Sequence, residues 1–138
     1  MKQSWWTSAS PWMHHAVKGD IPSITAHPPS GAAVYKLEGL AMRNYDGLFA
    51  EFARKLSFPE YFGHNWPALE DCLYDMTWGP SASCYLLVIN DWPAVLSESE
   101  LDRPVFTRIL SDVGASWAQY PGTPIAFNSL LVGEELRG

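Results

Sequence analysis

The chain has 138 residues, of which 47% are hydrophobic and 17% charged, a composition typical of one globular domain and not of a disordered chain. Its formal net charge is −6, from 15 acidic and 9 basic side chains. This excess of acid argues against direct binding to nucleic acid, because a phosphate backbone is neutralised by a basic protein face.

Residues 1–32 are rich in tryptophan and proline and form no regular pattern. Prolines at this density prevent a long helix, and several exposed indole rings would be unfavourable in water. We therefore expect residues 1–32 to be an N-terminal extension packed on the body, with a short strand near Met13 to Val17. Residues 33–138 are expected to form the main domain.

Strand and helix patterns alternate along the rest of the chain. The predicted elements, in chain order, are a strand at 33–37, a helix at 45–56 capped by Asn44, a helix from the cap Asn65 to about Met76, a strand at 84–89, a helix at 104–117 and a strand at 125–132. The continuously apolar run at 84–89 is typical of a strand buried on both faces. The order β-α-α-β-α-β predicts an α/β fold, with a small three-stranded parallel sheet packed with helices.

The two cysteines, Cys72 and Cys84, lie at an apolar helix position and at the start of a strand. We expect both to be buried thiols and not a disulfide framework. The sequence contains no run of about 18 apolar residues, so no membrane span is predicted. The first residues lack the apolar segment of a secretory signal. These features together favour a cytoplasmic protein.

The distribution of charge is more informative than its total. Residues 57–102 contain no Lys or Arg, yet they hold eight of the 15 acids: Glu60, Glu70, Asp71, Asp75, Asp91, Glu98, Glu100 and Asp102. This region predicts a surface of one charge sign that can attract a basic protein partner. The alternative is a solvated acidic surface that serves only solubility.

The second predicted helix has two different faces. At about 100° per residue, one arc is apolar and is expected to be buried: Trp66, Leu69, Cys72, Leu73 and Met76. The opposite arc carries Pro67, Glu70, Asp71, Tyr74 and Asp75. Asp71 and Asp75 are a like-charge pair at i, i+4, which is slightly unfavourable in an isolated helix. Chance is one explanation of this arrangement, and a face that binds cations explains it better when the preceding loop is considered too.

The loop before this helix contains two aromatic residues, Tyr61 and Phe62, followed by Gly63. Exposed aromatic side chains on a loop are typical of interface anchors. We expect Phe62 to be buried in the core and Tyr61, with its polar hydroxyl, to remain on the surface.

The same stretch, LSFPEYFGHNWPALEDCL, resembles the signature of the barstar family of intracellular ribonuclease inhibitors. The signature has the form L-x-x-P-x-Y-[YF]-G-x-N-x-x-A-L-x-D-C-L, and the chain matches it at eleven positions from Leu56 to Leu73. The resemblance extends, through the order of elements, over roughly residues 33–132. It implies a barstar-like fold and a protein that plugs the active site of a basic ribonuclease.

The resemblance also implies roles for individual residues. Asp71 corresponds to the aspartate that takes the place of an RNA phosphate, Tyr61 to a contacting tyrosine, and Gly63 and Asn65 shape the loop. The chain departs from the family at two contact positions, where Pro67 replaces a second aspartate and Glu70 replaces a tryptophan. The predicted partner-binding residues are Tyr61, Gly63, Asn65, Pro67, Glu70, Asp71, Tyr74 and Asp75.

We therefore expect an antitoxin or immunity protein that binds a basic extracellular-type ribonuclease or a related toxin, without a cofactor, and that is a monomer when free. The alternative is a barstar-like interaction domain reused for a protein partner that is not a nuclease. An enzyme is not expected, although His64, Asp71 and Cys72 are close in sequence, because Cys72 faces the core and Asp71 does not. No Cys/His spacing indicates a zinc site.

Overall fold

A parallel four-stranded sheet forms the centre of the molecule. The computed structural model describes residues 4–76, 79 and 81–134. Its strands are β1 (Met13–Val17), β2 (Ala32–Glu38), β3 (Cys84–Asn90) and β4 (Phe127–Gly133). They lie in the order β1-β4-β3-β2, and every neighbouring pair is parallel.

The sequence-based count of three strands was wrong, because the N-terminal segment supplies a fourth. β1 is the short strand expected near Met13 to Val17, and it pairs with β4 from Met13 beside Ser129 to Val17 beside Gly133. The segment MHHAV has little strand signal of its own. Its hydrogen-bonding partner lies more than a hundred residues further along the chain, so membership of the sheet could not be inferred locally.

Within the described part of the chain, four α-helices connect the strands: α1 (Ile21–Ile24), α2 (Tyr45–Leu56), α3 (Trp66–Asp75) and α4 (Arg103–Ala118). Asn44 and Asn65 cap α2 and α3 as expected, since each side chain accepts a hydrogen bond from the backbone amide three residues later. β4 begins two residues later than the sequence suggested. The amide of Ile125 instead donates to the carbonyl of Trp117 at the end of α4, at 3.0 Å.

The sheet is covered on both faces. The larger core lies between the sheet and helices α2, α3 and α4, and includes Phe49, Phe52, Phe106 and Leu87. A smaller core on the opposite face joins α1 to β3 and β4 through Ile21, Ile24, Leu86, Val88, Leu130 and Val132. β3 is therefore buried on both faces along almost its whole length, as its apolar run predicted.

A buried asparagine ties the N-terminal segment to the sheet. Asn128 of β4 is 0% exposed, and its Nδ2 donates to the carbonyl oxygens of Trp5 and Thr7, each at 2.9 Å. Its Oδ1 lies 3.2 Å from Nε2 of His14. Because the Oδ1 atom can only accept, His14 must carry a proton on Nε2 in this contact. One side chain thus forms hydrogen bonds with three groups of the N-terminal segment.

Replacing Asn128 by Leu is expected to destabilise the protein by about 1–3 kcal/mol, since buried polar groups would lose their hydrogen bonds. Residues 5–14 should also become more sensitive to proteolysis. Denaturant unfolding and limited proteolysis measure these effects. Asn90→Leu is the matched control, because Asn90 is only partly buried at the end of β3 and bonds Glu38 at 3.3 Å. Equal stability of both variants would contradict the anchoring role of Asn128.

Candidate protein-binding site

The loop before α3 holds one aromatic ring inside the protein and one outside. Phe62 is buried, and its ring packs against Phe58 at a centroid distance of 4.8 Å and against Phe49 at 6.3 Å. Tyr61, its neighbour, is 81% exposed. The expected division between the two rings is confirmed. Because Phe62 fixes the loop to the core, Tyr61 is presented to solvent from a supported position.

The end of the loop is joined to α3 by Asn65. Its Oδ1 accepts from the amide of Ala68 at 2.8 Å, and its Nδ2 donates to the carbonyl of Gly63 at 3.2 Å. A Cβ atom at Gly63 would lie 3.1 Å from that Nδ2, which is a tight contact. Pro67 occupies the first turn of α3, where its missing amide hydrogen costs little. The loop and the helix start therefore form one connected unit.

Helix α3 divides into a buried and an exposed face, as its sequence predicted. Leu69, Cys72 and Leu73 are buried, and the indole Nε1 of Trp117 on α4 donates to the carbonyl of Leu73 at 2.9 Å. The exposed side chains of the helix are Pro67, Asp71, Tyr74 and Asp75, while Glu70 is half-buried. The core thus fixes the orientation in which α3 presents its acidic residues.

The acidic surface is not of one charge sign, which corrects the expectation from residues 57–102. Nη1 of Arg108, on α4, lies 3.7 Å from Oε2 of Glu70 and 3.1 Å from Oδ2 of Asp112. Arg108 and Asp112 therefore extend the site onto α4. Sequence reasoning missed both residues because α4 lies outside the motif, and only the packing of α4 beside α3 brings them to it.

We use the term α3–α4 face for the surface formed by Glu70, Asp71, Tyr74 and Asp75 of α3 with Arg108 and Asp112 of α4. Tyr74 hydrogen-bonds to Glu70 within it, with its Oη donating to Oε2 at 3.4 Å. Burial raises the pKa of Tyr74, and the negative charges of Glu70 and Asp112 raise it further, while Arg108 acts in the opposite direction. Tyr74 is thus a neutral hydrogen-bonding group among these charges.

Cys72 lies on the buried face of α3 and Asp71 on its exposed face, so the thiol is not presented at the surface beside the carboxylate. Cys72 is buried, and burial raises the pKa of its thiol, as do the nearby charges of Asp71 and Asp75. A reactive cysteine instead requires a lowered pKa and solvent access. Both cysteines are buried and are not joined in a disulfide.

Two further kinds of feature, a metal-binding cluster and a membrane-spanning helix, were sought among the described residues. Across residues 4–76, 79 and 81–134, no cluster of three or more His, Cys, Asp or Glu side chains has an arrangement that could hold a metal ion. Within the same residues, no helix has the length and apolar character needed to span a membrane. The chemistry offered by the α3–α4 face is charge and hydrogen bonding at an exposed surface, which suits recognition of another protein.

Comparison with protein families gave a match over most of the chain. A family model described as Barstar (barnase inhibitor) matches residues 32–128. The matched region begins at β2 and ends inside β4, so it contains the loop, α3 and α4 that form the site. A search of curated proteins gave no match.

Proposed function

This chain belongs to the barstar family, and we propose from that premise that it inhibits a basic ribonuclease by covering its active site. The loop before α3 and the α3–α4 face would form the contact surface. In a cell, such a protein serves as an antitoxin or immunity protein and has no catalytic activity of its own. The observation that carries this proposal is the exposed Asp71 at the centre of a helix that is fixed to the core through its opposite side.

Asp71 is suited to take the place of an RNA phosphate. A ribonuclease site must stabilise a phosphate with positive charges, and a carboxylate can pair with the same groups. Asp75, one turn further along α3, adds negative charge to the same helix face. Tyr61, exposed on the supported loop, would add a large contact area with little loss of side-chain freedom on binding.

Association with the ribonuclease is expected to be fast and to slow as salt is added, because opposite charges steer the encounter and salt screens them. Stopped-flow measurement of the association rate constant at low and at high concentrations of NaCl tests this. An association rate constant that does not change with salt would argue against the proposal.

Asn65 and Asn44 provide a matched pair of substitutions. Each caps a helix through an almost identical hydrogen bond, at 2.8 Å to Ala68 and at 2.9 Å to Gly47. We expect Asn65→Ala and Asn44→Ala each to lower the free energy of unfolding by about 1 kcal/mol. Only Asn65→Ala should weaken inhibition, by about tenfold, because it also releases the loop that carries Tyr61.

Unfolding curves and inhibition constants of the two variants measure this difference. Equal inhibition by both variants would show that the loop need not be held by Asn65.

A protein partner that is not a nuclease is the second candidate. Pro67 and Glu70 favour it, since they replace an aspartate and a tryptophan at positions where the family contacts its ribonuclease. The two candidates differ in a simple assay, because only the first predicts that the bound partner cleaves RNA when it is released.

A further inference from the structure

The α3–α4 face contains a positive charge among its acids. The guanidinium of Arg108 contacts Glu70 from α3 and Asp112 from its own helix. The side chain of Arg108 is 56% exposed, so the guanidinium also faces solvent, where a binding partner would meet it. A partner that covers this face must therefore match a positive charge at Arg108 as well as negative charges at Asp71 and Asp75.

Arg108 is held in this position by two carboxylates on two helices. Its pair with Asp112 has the i, i+4 spacing of a helix surface, and its contact with Glu70 joins α4 to α3. Glu70 is only 25% exposed, so a movement of Arg108 would leave a partly buried carboxylate without that ion pair. If a binding partner displaced Arg108, the side chain would lose its contacts with both Glu70 and Asp112.

The guanidinium has five N–H donors in a fixed planar arrangement. Those that are not directed at Glu70 and Asp112 remain available to a carboxylate on the partner. A basic group on the partner at the same place would instead face a like charge. Like charges brought together in an interface oppose binding strongly, and natural interfaces use such contacts to reject wrong partners.

We propose that Arg108 is a specificity-determining residue of the α3–α4 face. It favours a ribonuclease whose basic active site has a carboxylate at the border opposite Arg108, and it disfavours one that is basic throughout the contact. This inference rests on the proposed inhibitory function, and it names the surface chemistry of the ribonuclease that the chain is built to bind.

Barnase, the ribonuclease named in the family description, serves as the basic probe. Arg108→Gln removes the charge and keeps much of the side-chain length, and we expect it to inhibit barnase at least about tenfold more tightly than the wild type does. Arg108→Lys keeps the charge, so it should tighten inhibition clearly less than Arg108→Gln does. Lys36→Gln removes the same charge from the exposed position 36 on the edge strand β2, and should change inhibition by less than about threefold.

Three results would overturn the inference. In the first, Arg108→Gln tightens inhibition of barnase no more than Lys36→Gln does, so that only the net charge matters. In the second, Arg108→Lys tightens inhibition of barnase as much as Arg108→Gln does. In the third, none of the variants inhibits barnase at the highest soluble concentration. Circular dichroism and unfolding curves would show that the compared variants are equally folded.

Addition of Asp71→Asn to Arg108→Gln separates this inference from the proposed function. If the double variant inhibits barnase as strongly as Arg108→Gln alone, Asp71 makes no contact with barnase, and both the proposed function and this inference fail. If wild-type inhibition depends on Asp71 but Arg108→Gln brings no gain, the proposed function stands and the specificity role of Arg108 is wrong.

Discussion

Asp71→Ala is expected to weaken inhibition of the ribonuclease by about 2–5 kcal/mol, or roughly 30- to 4,000-fold in the dissociation constant. Most of this loss should appear as faster dissociation, because the basic groups that Asp71 satisfies would stay buried without a partner. The range is the one known for buried charge pairs in protein interfaces, among which the barnase–barstar complex is itself a reference case. Inhibition constants and dissociation rates measure the effect.

The folded state should tolerate this substitution. Asp71 is exposed on α3, so we expect the free energy of unfolding to change by less than about 0.5 kcal/mol. Glu100→Ala is the matched control, because it removes an exposed acid that precedes α4 and lies outside the proposed contact surface. An Asp71 variant that inhibits as well as the Glu100 variant would remove Asp71 from the contact.

Leu73→Ala is expected to have the largest effect on folding, a loss of about 2–5 kcal/mol in the free energy of unfolding. Leu73 is 0% exposed in the larger core, and its deletion leaves a cavity beneath the helix that carries the acidic residues. Two residues further along the helix, the exposed Asp75 gives a matched control, since Asp75→Ala should cost less than about 0.5 kcal/mol.

Urea unfolding of both variants checks this expectation. Inhibition by Leu73→Ala should stay within about threefold of the wild type under conditions where the variant is folded, because the exposed side chains are unchanged. A loss of stability below about 1 kcal/mol would show that the core around α3 relaxes to fill the cavity.

Local signals in the sequence located α2 and α3 well. An asparagine before an amphipathic run marks the start of each helix, and the cap is formed within three residues of sequence. The same local pattern separated the buried Phe62 from the exposed Tyr61. Features of this kind depend on neighbouring residues, so they can be read without knowledge of the tertiary structure.

Features that depend on distant parts of the chain were missed. The strand count was wrong because β1 gains its hydrogen bonds from β4, at the opposite end of the sequence. The charge of the α3–α4 face was misjudged because Arg108 reaches Glu70 from α4, 38 positions away in sequence. Neither contact produces a periodic pattern in the sequence. Both contacts are seen only once the elements are packed together.

We propose that the α3–α4 face covers the active site of a ribonuclease, and this claim can be tested by capture from the native host. Wild-type protein and Asp71→Asn are immobilised side by side, and the retained proteins are eluted with salt and assayed for RNA cleavage. We expect the wild type, and not Asp71→Asn, to retain a basic ribonuclease that becomes inactive again when free wild-type protein is added. Retained protein without ribonuclease activity, or equal retention by Asp71→Asn, would contradict the claim.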